Sequence, residues 1–507
     1  SGPTGIYTLK GLIGKSEPLE ITIFESDAEP GKGTPYRPDL NDAAMLSNIA
    51  SIELPPICET LTEWLRRQTD MELQHLGVER DAISEREFYP RVVLGEFLHA
   101  QFQQLLNAAT ANGHAIHLKA RHRVVDIELR ADDIRLSVKA LDDEPAEFGF
   151  DHVVMATGHD WPETTEVRPG YFISPWPAPL LKTIPPCNLG ILGTSLSGID
   201  ALITVSTAHG AFMLDGQGDL QYEPLPGTEA FRATMMSRKG VLPEADFYCE
   251  IPYRPLTFCT EAAIENAIAT RKLDLLDAIF DLFKQELVAC DPDYAASIGL
   301  SLLTVETIAP AYFRARETND PFAWAARNLA EADLNKKLKQ TVEWRYAILR
   351  MHEVIAKAIP HLDADDLTRF HKHFKTVFID DYATVPHESI RRLLALHRTG
   401  KLEIVALGNS SEIDNKSVER GAVVRTEGRE LRFEAFIDAT GQHELSARDI
   451  PFPTLVGQGV VRKAATKAAF SLDGAEQEIV RTGGIDLDDD FRLVFEDNLS
   501  NNLYCGS

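Results

Sequence analysis

The sequence comprises 507 residues, of which 44% are hydrophobic and 25% are charged. This length and composition predict a globular protein of two or three domains and exclude a disordered or low-complexity chain. The formal net charge of -26 argues against nucleic acid as a partner, because no cluster of Lys and Arg offers phosphates a basic surface.

The cysteines and the apolar runs indicate neither a secreted nor a membrane protein. The six cysteines lack the C-x-x-C spacing of a zinc site and are too scattered to suggest a disulfide framework. No apolar run approaches the roughly 20 residues that a membrane span needs, and the N-terminus has no signal-peptide pattern. We therefore expect a cytoplasmic protein. Both ends break off abruptly, so we also expect that residues are missing before Ser1 and after Ser507.

The first element in chain order is a glycine-rich turn that opens a helix. Gly2, Pro3, Thr4 and Gly5 precede an apolar-periodic run and match the second half of a G-x-G-x-x-G fingerprint. Glycines in such a turn let backbone N–H groups approach a pyrophosphate, which sits at the positive end of the helix dipole. On its own this signal is weak.

A predicted strand at residues 19–25 strengthens the N-terminal signal. It ends at Glu25, twenty residues after Gly5, which is the spacing of a carboxylate that hydrogen-bonds the ribose of a dinucleotide. The alternative is a solvated acid at the end of a strand. Farther along, residues 116–141 alternate in the manner of antiparallel strands, which predicts a small inserted sheet.

The next strand signal, at residues 151–158, ends in a turn of small residues. Thr157 and Gly158 follow Ala156 in this turn, and such residues permit the close approach of a cofactor. Residues 433–441 are a near copy that ends in Ala439, Thr440 and Gly441. The repetition predicts two units built on one plan.

Between these two copies lies a second glycine turn. A predicted strand at 188–192 leads into Gly193, Thr194, Ser195, Leu196, Ser197 and Gly198, in which Ser195 replaces the central glycine of the fingerprint. The departure weakens the motif without erasing it, because the serine hydroxyl can itself bind a phosphate. A hairpin-like stretch follows at 215–219.

The second unit has a base where the first has an acid. The predicted strand at 233–236 ends at Ser237, Arg238 and Lys239. A guanidinium offers a planar fork that suits the 2'-phosphate of NADPH, whereas a carboxylate would repel it. Arg238 therefore favours NADPH over NADH, and a solvated arginine at a strand end is the alternative.

These patterns predict an α/β protein with two nested Rossmann-like dinucleotide-binding domains, one for FAD and one for NAD(P)H, and an inserted helical cap. The cap follows from helical periodicity through residues 262–283 and 342–358. The predicted boundaries are 1–160 for the first part of the FAD domain, 161–259 for the first part of the NAD(P) domain, 260–375 for the cap, 376–445 for the return of the NAD(P) domain and 446–507 for a truncated return of the FAD domain.

Several long strings resemble one family. They are Gly2 to Tyr7, Asn48 to Glu53, Gly193 to Gly198, Leu242 to Cys249 and Pro386 to Leu394. The sequence is similar to bacterial FAD/NAD(P)-binding flavoproteins of the YdhS-like kind, relatives of the flavin-containing and N-hydroxylating monooxygenases. The likeness extends over nearly the whole chain.

The resemblance implies FAD at Gly2, Gly5 and Glu25, with Gly33 and Asn48 near the flavin side of the site. Some related enzymes N-hydroxylate amino acids, which makes the N-hydroxylation of an amine a candidate reaction by analogy. The first loop glycine and the C-terminal segment that usually completes the flavin site are absent here. This departure puts tight FAD binding in doubt.

Other chemistry-bearing residues carry weaker signals. His371 and His373 lack a further ligand at matching spacing, so we expect no metal site. Ser195 and Ser389 lack a convincing His-and-acid constellation, which argues against a hydrolase. Polar and aromatic residues that a substrate pocket could use, although structural duty is the better interpretation for most, are Asp246, Tyr248, Arg254, Trp344, Arg345, Asp380, Asp381 and His387. No catalytic residue is predicted.

The sequence thus predicts an FAD-dependent oxidoreductase that NAD(P)H reduces and that acts in a monooxygenase-like manner on a small molecule. The alternative is a redox sensor or scaffold that binds FAD and NAD(P) without turnover. Both need the same phosphate-binding turns, so the sequence leaves them open. It predicts neither the substrate nor the oligomeric state.

Overall fold

A computed structural model describes residues 1–140, 144–158, 164–271, 273–426, 428–441, 450–467, 479–495 and 501–506, with backbone alone for 465–467 and 479–483. Parts of the predicted C-terminal return, residues 446–449, 468–478, 496–500 and 507, lie outside this description. The described chain mixes helices with parallel and antiparallel strands.

The helices are α1 (Pro3–Ile13), α2 (Leu61–Arg67), α3 (Asp70–Leu76), α4 (Arg91–Ala111), α5 (Ala178–Leu181), α6 (Leu196–His209), α7 (Glu261–Thr270), α8 (Leu275–Cys290), α9 (Pro292–Ser297), α10 (Val305–Glu317), α11 (Pro321–Leu338), α12 (Glu343–Ala356), α13 (Ala364–Arg369), α14 (Lys375–Tyr382), α15 (His387–Arg398) and α16 (Pro453–Gly457). The strands are β1 (Glu20–Glu25), β2 (Ala115–Ala120), β3 (His122–Leu129), β4 (Ile134–Ala140), β5 (Ala146–Phe150), β6 (Val153–Met155), β7 (Glu166–Arg168), β8 (Tyr171–Phe172), β9 (Asn188–Leu192), β10 (Gly210–Leu214), β11 (Leu220–Pro224), β12 (Arg232–Ser237), β13 (Leu402–Ala406), β14 (Glu412–Asp414), β15 (Ala422–Thr426), β16 (Arg429–Phe433), β17 (Ala435–Asp438), β18 (Lys463–Lys467), β19 (Ile479–Ile485) and β20 (Leu503–Cys505).

The N-terminal unit is built on two short parallel sheets, β1 with β2 and β6 with β20. Helices α1 and α4 bury apolar side chains such as Ile6, Leu9 and Phe102 in one core. The prediction of antiparallel strands was wrong for residues 116–120, which pair in parallel with β1. The long helix α4 returns the chain to the starting edge, and such a crossover makes the next strand parallel. The antiparallel prediction is confirmed for β3 and β4, which β5 extends.

A six-stranded sheet with the order β13-β12-β9-β17-β8-β7 forms the second unit. Its first five strands are parallel, and β7 is antiparallel. The predicted strand at 188–192 is confirmed by β9, and the hairpin predicted at 215–219 is confirmed by β10 and β11. Because the strands are parallel, the turns after β9, β12 and β17 meet at the same edge of the sheet.

The middle of the chain, from α7 to α14, is helical. Its core contains a cluster of phenylalanines that includes Phe283, Phe374 and Phe378. The periodicity at 262–283 covers two helices, α7 and α8, rather than one. The apolar pattern does not reveal this break, because both helices turn their apolar faces into the same core. A π-helical turn at Phe370–Phe374 joins α13 to α14.

The N-terminal unit packs directly on the second unit. Arg91 on α4 forms an ion pair with Asp200 on α6, with 2.7 Å between the charged atoms. Arg392 Nη1 on α15 donates a hydrogen bond to the carbonyl oxygen of Ala44 at 2.7 Å. Within the described residues, the search for an apolar helix of membrane-spanning length found none.

Candidate cofactor sites and a cavity between the units

The start of α1 lies against a second glycine turn. Gly2 caps the helix, and a Cβ on Gly2 would lie 3.1 Å from the Cα of Gly33. Gly33 has a φ of +75°, which other residues rarely adopt, and a Cβ there would lie 3.1 Å from the Cα of Gly2. The two backbones therefore touch without intervening side chains at the N-terminus of an 11-residue helix. Such a backbone surface fits a phosphate group.

The other residues predicted for FAD gather around this turn, with one exception. Pro3 and Thr4 form the first turn of α1, and Glu25 Oε2 accepts a hydrogen bond of 3.0 Å from Ser1 Oγ. A Cβ on Gly5 would lie 3.9 Å from the Cβ of Ala156, just before the exposed Thr157 and Gly158. The arrangement has backbone for a pyrophosphate and a carboxylate beside it, and so fits a dinucleotide. Asn48 instead lines a cavity described below.

The second glycine turn is also built by close backbone contacts. Gly193 has a φ of +115°, and a Cβ there would lie 2.8 Å from the carbonyl oxygen of Ala439. A Cβ on Gly198 would lie 2.4 Å from the carbonyl oxygen of Gly193. The turn after β9, the first turn of α6 and the end of β17 are therefore in contact, and only glycines allow this.

Three hydroxyl groups of the second turn have different surroundings. The exposed Ser195 is the N-cap of α6 but its side chain does not cap the helix, and neither Ser195 nor Ser197 donates a side-chain hydrogen bond within the described residues. Thr194 Oγ1, in contrast, lies 2.7 Å from the carbonyl oxygen of Val241 and 3.1 Å from Ser237 Oγ. Thr194 and Ser237 therefore fix the turn, while Ser195 and Ser197 remain available to a ligand.

Arg238 and Lys239 follow β12 but differ in their contacts. Lys239 Nζ lies 2.6 Å from Glu317 Oε1 and 3.6 Å from the centre of the Phe313 ring, so its charge is used by α10. Arg238 is exposed, and its guanidinium has no hydrogen bond or ion pair within the described part of the chain. Of the two bases, Arg238 is the one whose charge is free for a ligand.

The two strand ends that carry Ala-Thr-Gly turn in the same way. Gly158 and Gly441 both have positive φ, at +70° and +100°. In the second copy, Asp438 Oδ1 accepts hydrogen bonds from the backbone N–H and the hydroxyl of Thr440, at 3.1 and 2.7 Å. These bonds hold Thr440 and Gly441 next to the glycine turn after β9.

A cavity of about 60 Å³ lies where the N-terminal unit, the segment after β12 and the middle helices meet. Two of the strings that resemble YdhS-like proteins, 48–53 and 242–249, contribute to its wall. The lining residues are Asn48, Ala50, Ile52, Glu53, Arg86, Asp246, Phe247, Tyr248, Cys249, Ile251, Lys336, Leu349, Asp381, Tyr382 and Thr384.

The cavity has a buried base and a more open rim. Asp381 is only 1% exposed, and Phe247 and Cys249 are buried beside it, whereas Glu53 and Lys336 are exposed. Burial raises the pKa of the Asp381 carboxyl well above its ordinary value, the charge of Arg345 opposes this, and that of Asp380 adds to it.

Asp246 forms part of the wall between base and rim. Burial raises the pKa of Asp246 to about 7, and the nearby charge of Glu53 contributes in the same direction. A hydrogen bond of 3.3 Å from Thr384 Oγ1 and the charges of Lys336 and Arg86 favour the ionised form but do not outweigh burial.

Backbone pairing positions Asp246. Its N–H donates to the carbonyl oxygen of Val385 at 2.8 Å, and the N–H of Val385 donates to that of Glu244 at 2.9 Å. His387 adds a third link, since its Nε2 lies 2.7 Å from the carbonyl oxygen of Asp246 and its Nδ1 lies 2.7 Å from Asp333 Oδ1. The strings at 242–249 and 386–394 are thus joined next to the cavity.

The structure divides the eight pocket candidates into two groups. Asp246, Tyr248 and Asp381 line the cavity. The other five have structural partners: Arg254 pairs with Glu343, Trp344 stacks on Tyr294, Arg345 pairs with Glu244, Asp380 pairs with Arg316 and His387 contacts Asp333.

Sequence reasoning missed three charged residues of the wall. Glu53 ends a string that carried the family resemblance, which was a usable signal. Arg86 and Lys336 lie in segments with no motif, and only the fold brings them to the cavity. Among the described residues, no group of three or more His, Cys, Asp or Glu is placed to hold a metal ion, and neither His371 nor His373 belongs to such a group.

Comparison with known proteins assigns the family. Residues 1–160 match the FAD-NAD(P)-binding family, and residues 260–382 match the YdhS-like middle domain. The chain is 43% identical over 455 residues to the uncharacterized protein YdhS of Escherichia coli (strain K12), which covers 90% of this chain and 84% of that protein. The protein belongs to the YdhS family of FAD/NAD(P)-binding flavoproteins, and the resemblance predicted from the sequence is confirmed. FAD and NAD(P) are its cofactors.

Solved structures of similar arrangement include two amine hydroxylases. The ornithine hydroxylase PvdA of Pseudomonas aeruginosa is 12% identical, with coverage of 100% of this chain and 90% of that one and a TM-score of 0.46. The L-lysine 6-monooxygenase of Pseudomonas syringae is 14% identical, with coverage of 100% and 90% and a TM-score of 0.39.

Proposed function

We propose that the protein is an FAD-dependent oxidoreductase that NADPH reduces and that acts in a monooxygenase-like manner on a small molecule. The observation that carries the proposal is the pair of glycine turns, each of which opens a helix next to parallel strands within one chain. One turn suffices for a single dinucleotide. Two of them suit an enzyme that passes electrons between two dinucleotides.

The proposed architecture is a pair of nested Rossmann-like domains with a helical cap. The FAD domain comprises 1–160 and 446–507, the NAD(P) domain comprises 161–259 and 376–445, and the cap comprises 260–375. In support, the strands β12, β9 and β17 are adjacent in the second sheet although the middle helices separate them in sequence.

Each predicted cofactor residue has a proposed role. In the first unit, the backbone at Gly2, Gly5 and Gly33 holds the pyrophosphate of FAD and Glu25 holds a ribose. In the second unit, Ser195, Ser197 and the N–H groups at the start of α6 hold the pyrophosphate of NADPH. The turns at Thr157-Gly158 and Thr440-Gly441 let each cofactor approach the backbone closely.

Arg238 sets the preference for NADPH in this proposal. It is exposed at the end of β12, one position beyond the strand residue nearest to Gly193, and its charge is free. A guanidinium there can bind the 2'-phosphate in a bidentate manner. NADH has no such group.

The cofactors supply hydride transfer from NADPH to FAD and electron transfer from the reduced flavin to oxygen or another acceptor. The protein's task is to hold the substrate and exclude water. The cavity between the units is a suitable place for this, since the FAD domain, the NAD(P) domain and the cap all contribute to its wall. N-hydroxylation of an amine is the reaction that we propose first.

The test is the visible spectrum of FAD-loaded protein before and after NADPH under anaerobic conditions. We expect oxidised-flavin bands that bleach on addition of NADPH. Flavin bands that persist with both NADPH and NADH would reject the oxidoreductase and favour a sensor that binds the cofactors without turnover. Absence of flavin bands after reconstitution with FAD would reject both.

A further inference from the structure

The wall of the cavity between the units carries an excess of negative charge. Glu53, Asp246 and Asp381 face two bases, Arg86 and Lys336. Two of the three acids have hydrogen-bond partners, because Glu53 Oε2 accepts from the backbone N–H of Ala50 at 2.8 Å and Asp246 Oδ1 accepts from Thr384. One carboxylate at the base remains without a partner.

That carboxylate is Asp381. It is 1% exposed, and neither of its oxygen atoms has a hydrogen-bond partner among the residues that the structure describes. The nearby Arg345 is paired with Glu244, and the neighbouring Asp380 is paired with Arg316. A buried carboxylate without a partner is costly, so proteins seldom keep one unless it binds something.

The charge at the base does not suit a metal ion. Calcium takes six to eight oxygen ligands, and magnesium needs an octahedron of them. The three acids of the wall do not converge to this degree, since no group of three or more metal-ligating side chains occurs in the described chain. The cation that fits is therefore one that carries its charge on an organic molecule.

The size and apolar part of the wall agree with a small organic cation. A volume of about 60 Å³ corresponds to roughly four to six water molecules. Ile251 and Leu349 line it together with the rings of Phe247 and Tyr382, which can contact a methylene chain. The aromatic faces also attract a positive charge.

We infer that this cavity binds a small primary amine, with the ammonium group against Asp381 and the alkyl chain along Ile251 and Leu349. The inference deepens the proposed function by naming the substrate class, and it rests on that function only for the fate of the bound amine. Binding itself needs no turnover, so the two can fail separately.

The experiment titrates FAD-loaded protein with n-butylamine at pH 8 by isothermal calorimetry. An alkylammonium with a lysine-like pKa of about 10.4 is charged at this pH. We expect a dissociation constant on the order of 1 mM for this five-atom ligand. The neutral analogue 1-butanol should bind at least tenfold more weakly, and equal binding of the two would overturn the inference.

The variant Asp381→Asn removes the charge and keeps the shape. It should weaken n-butylamine binding at least tenfold and raise the melting temperature of the free protein at pH 8, because a buried charge without a partner is gone. A merely structural Asp381 would instead lower the melting temperature on substitution. Unchanged n-butylamine affinity in this variant would overturn the inference.

Two further variants guard against misfolding and nonspecific binding. Leu349→Phe fills the cavity without a change in charge and should also weaken n-butylamine binding. Asp365→Asn removes an exposed acid of α13 outside the cavity and should leave the affinity as it is. If the Asp365 variant loses as much affinity as the Asp381 variant, general attraction by the acidic protein explains the binding. If NADPH fails to bleach the flavin while n-butylamine still binds through Asp381, only the proposed function is rejected.

Discussion

Arg91 Nη2 lies 2.7 Å from Asp200 Oδ2, and this ion pair joins helix α4 of the FAD/NAD(P)-binding domain to helix α6 of the second unit. Burial raises the pKa of Asp200 to about 6, while the charge of Arg91 opposes the shift. Since α6 begins at the glycine turn, the contact ties the relative position of the two units to the helix that we propose for NADPH binding.

Replacement of Arg91 by Met should therefore destabilise the protein in a pH-dependent manner. At pH 8 Asp200 is ionised, and the loss of its partner should cost about 3 kcal/mol. At pH 5 the carboxyl, with a folded-state pKa of about 6, is already mostly protonated, so the loss should be small. Urea unfolding at the two pH values measures the difference.

The control is the double variant Arg91→Met with Asp200→Asn, which removes both charges. It should recover most of the stability at pH 8. Equal destabilisation by Arg91→Met at pH 5 and pH 8 would mean that lost packing, and not the unpaired charge, explains the effect.

Arg238→Ala should discriminate between the two nicotinamide cofactors. Loss of a charge-assisted hydrogen bond to the 2'-phosphate costs about 1.5–3 kcal/mol, which is about 10- to 100-fold in the dissociation constant of NADPH. The dissociation constant of NADH should not change. Titration of the protein with each dinucleotide, followed by the fluorescence of the reduced nicotinamide, measures both.

A matched control is available at the next position. Lys239→Met removes a charge that is already paired with Glu317, so it should leave the ratio of the two dissociation constants close to that of the unmodified protein. An equal loss of NADPH and NADH binding on Arg238→Ala would count against a 2'-phosphate contact.

The glycine turn after β9 should not tolerate a methyl group. Gly198→Ala places a Cβ about 2.4 Å from the carbonyl oxygen of Gly193, so the backbone must move. We expect a loss of about 1–3 kcal/mol in stability and weaker NADPH binding, with FAD binding retained. Gly216→Ala is the control, because the added Cβ meets no atom within 4 Å in the β10–β11 turn. Comparable melting temperatures of the two variants would show that the turn can relax.

The sequence predicted the parts of the fold that local patterns determine. Strand β9 was predicted at its observed bounds, and helix α12 within two residues at either end. The partner of β2 was not predicted, because alternation shows which faces are buried but not which strand lies alongside. A crossover helix decided that partner.

The candidate site was less predictable than the fold. Local patterns marked Asp381 and Asp380 as equal candidates, yet one is unpartnered at the cavity and the other is paired with Arg316. No sequence pattern distinguishes neighbouring acids of this kind, since the difference depends on residues more than sixty positions away. Arg86 and Lys336 reach the cavity for the same reason.

Asp246 should make the stability of the protein depend on pH. Its pKa in the folded protein is about 7, above the ordinary value near 3.8, so the folded state holds a proton that the unfolded chain has released. Stability contributed by this group is therefore full below pH 4 and falls as the pH rises toward 7. Asp246→Asn removes the titrating group and should raise the free energy of unfolding by about 2 kcal/mol at pH 8, with little effect at pH 4. Urea unfolding of both proteins from pH 4 to pH 8 tests this, with Asp365→Asn as the exposed control. A constant difference across the range would mean that Asp246 does not titrate as its surroundings imply. A difference that grows as the pH rises would place the proton on Asp246 in the folded protein, where a bound ammonium group would compete with it.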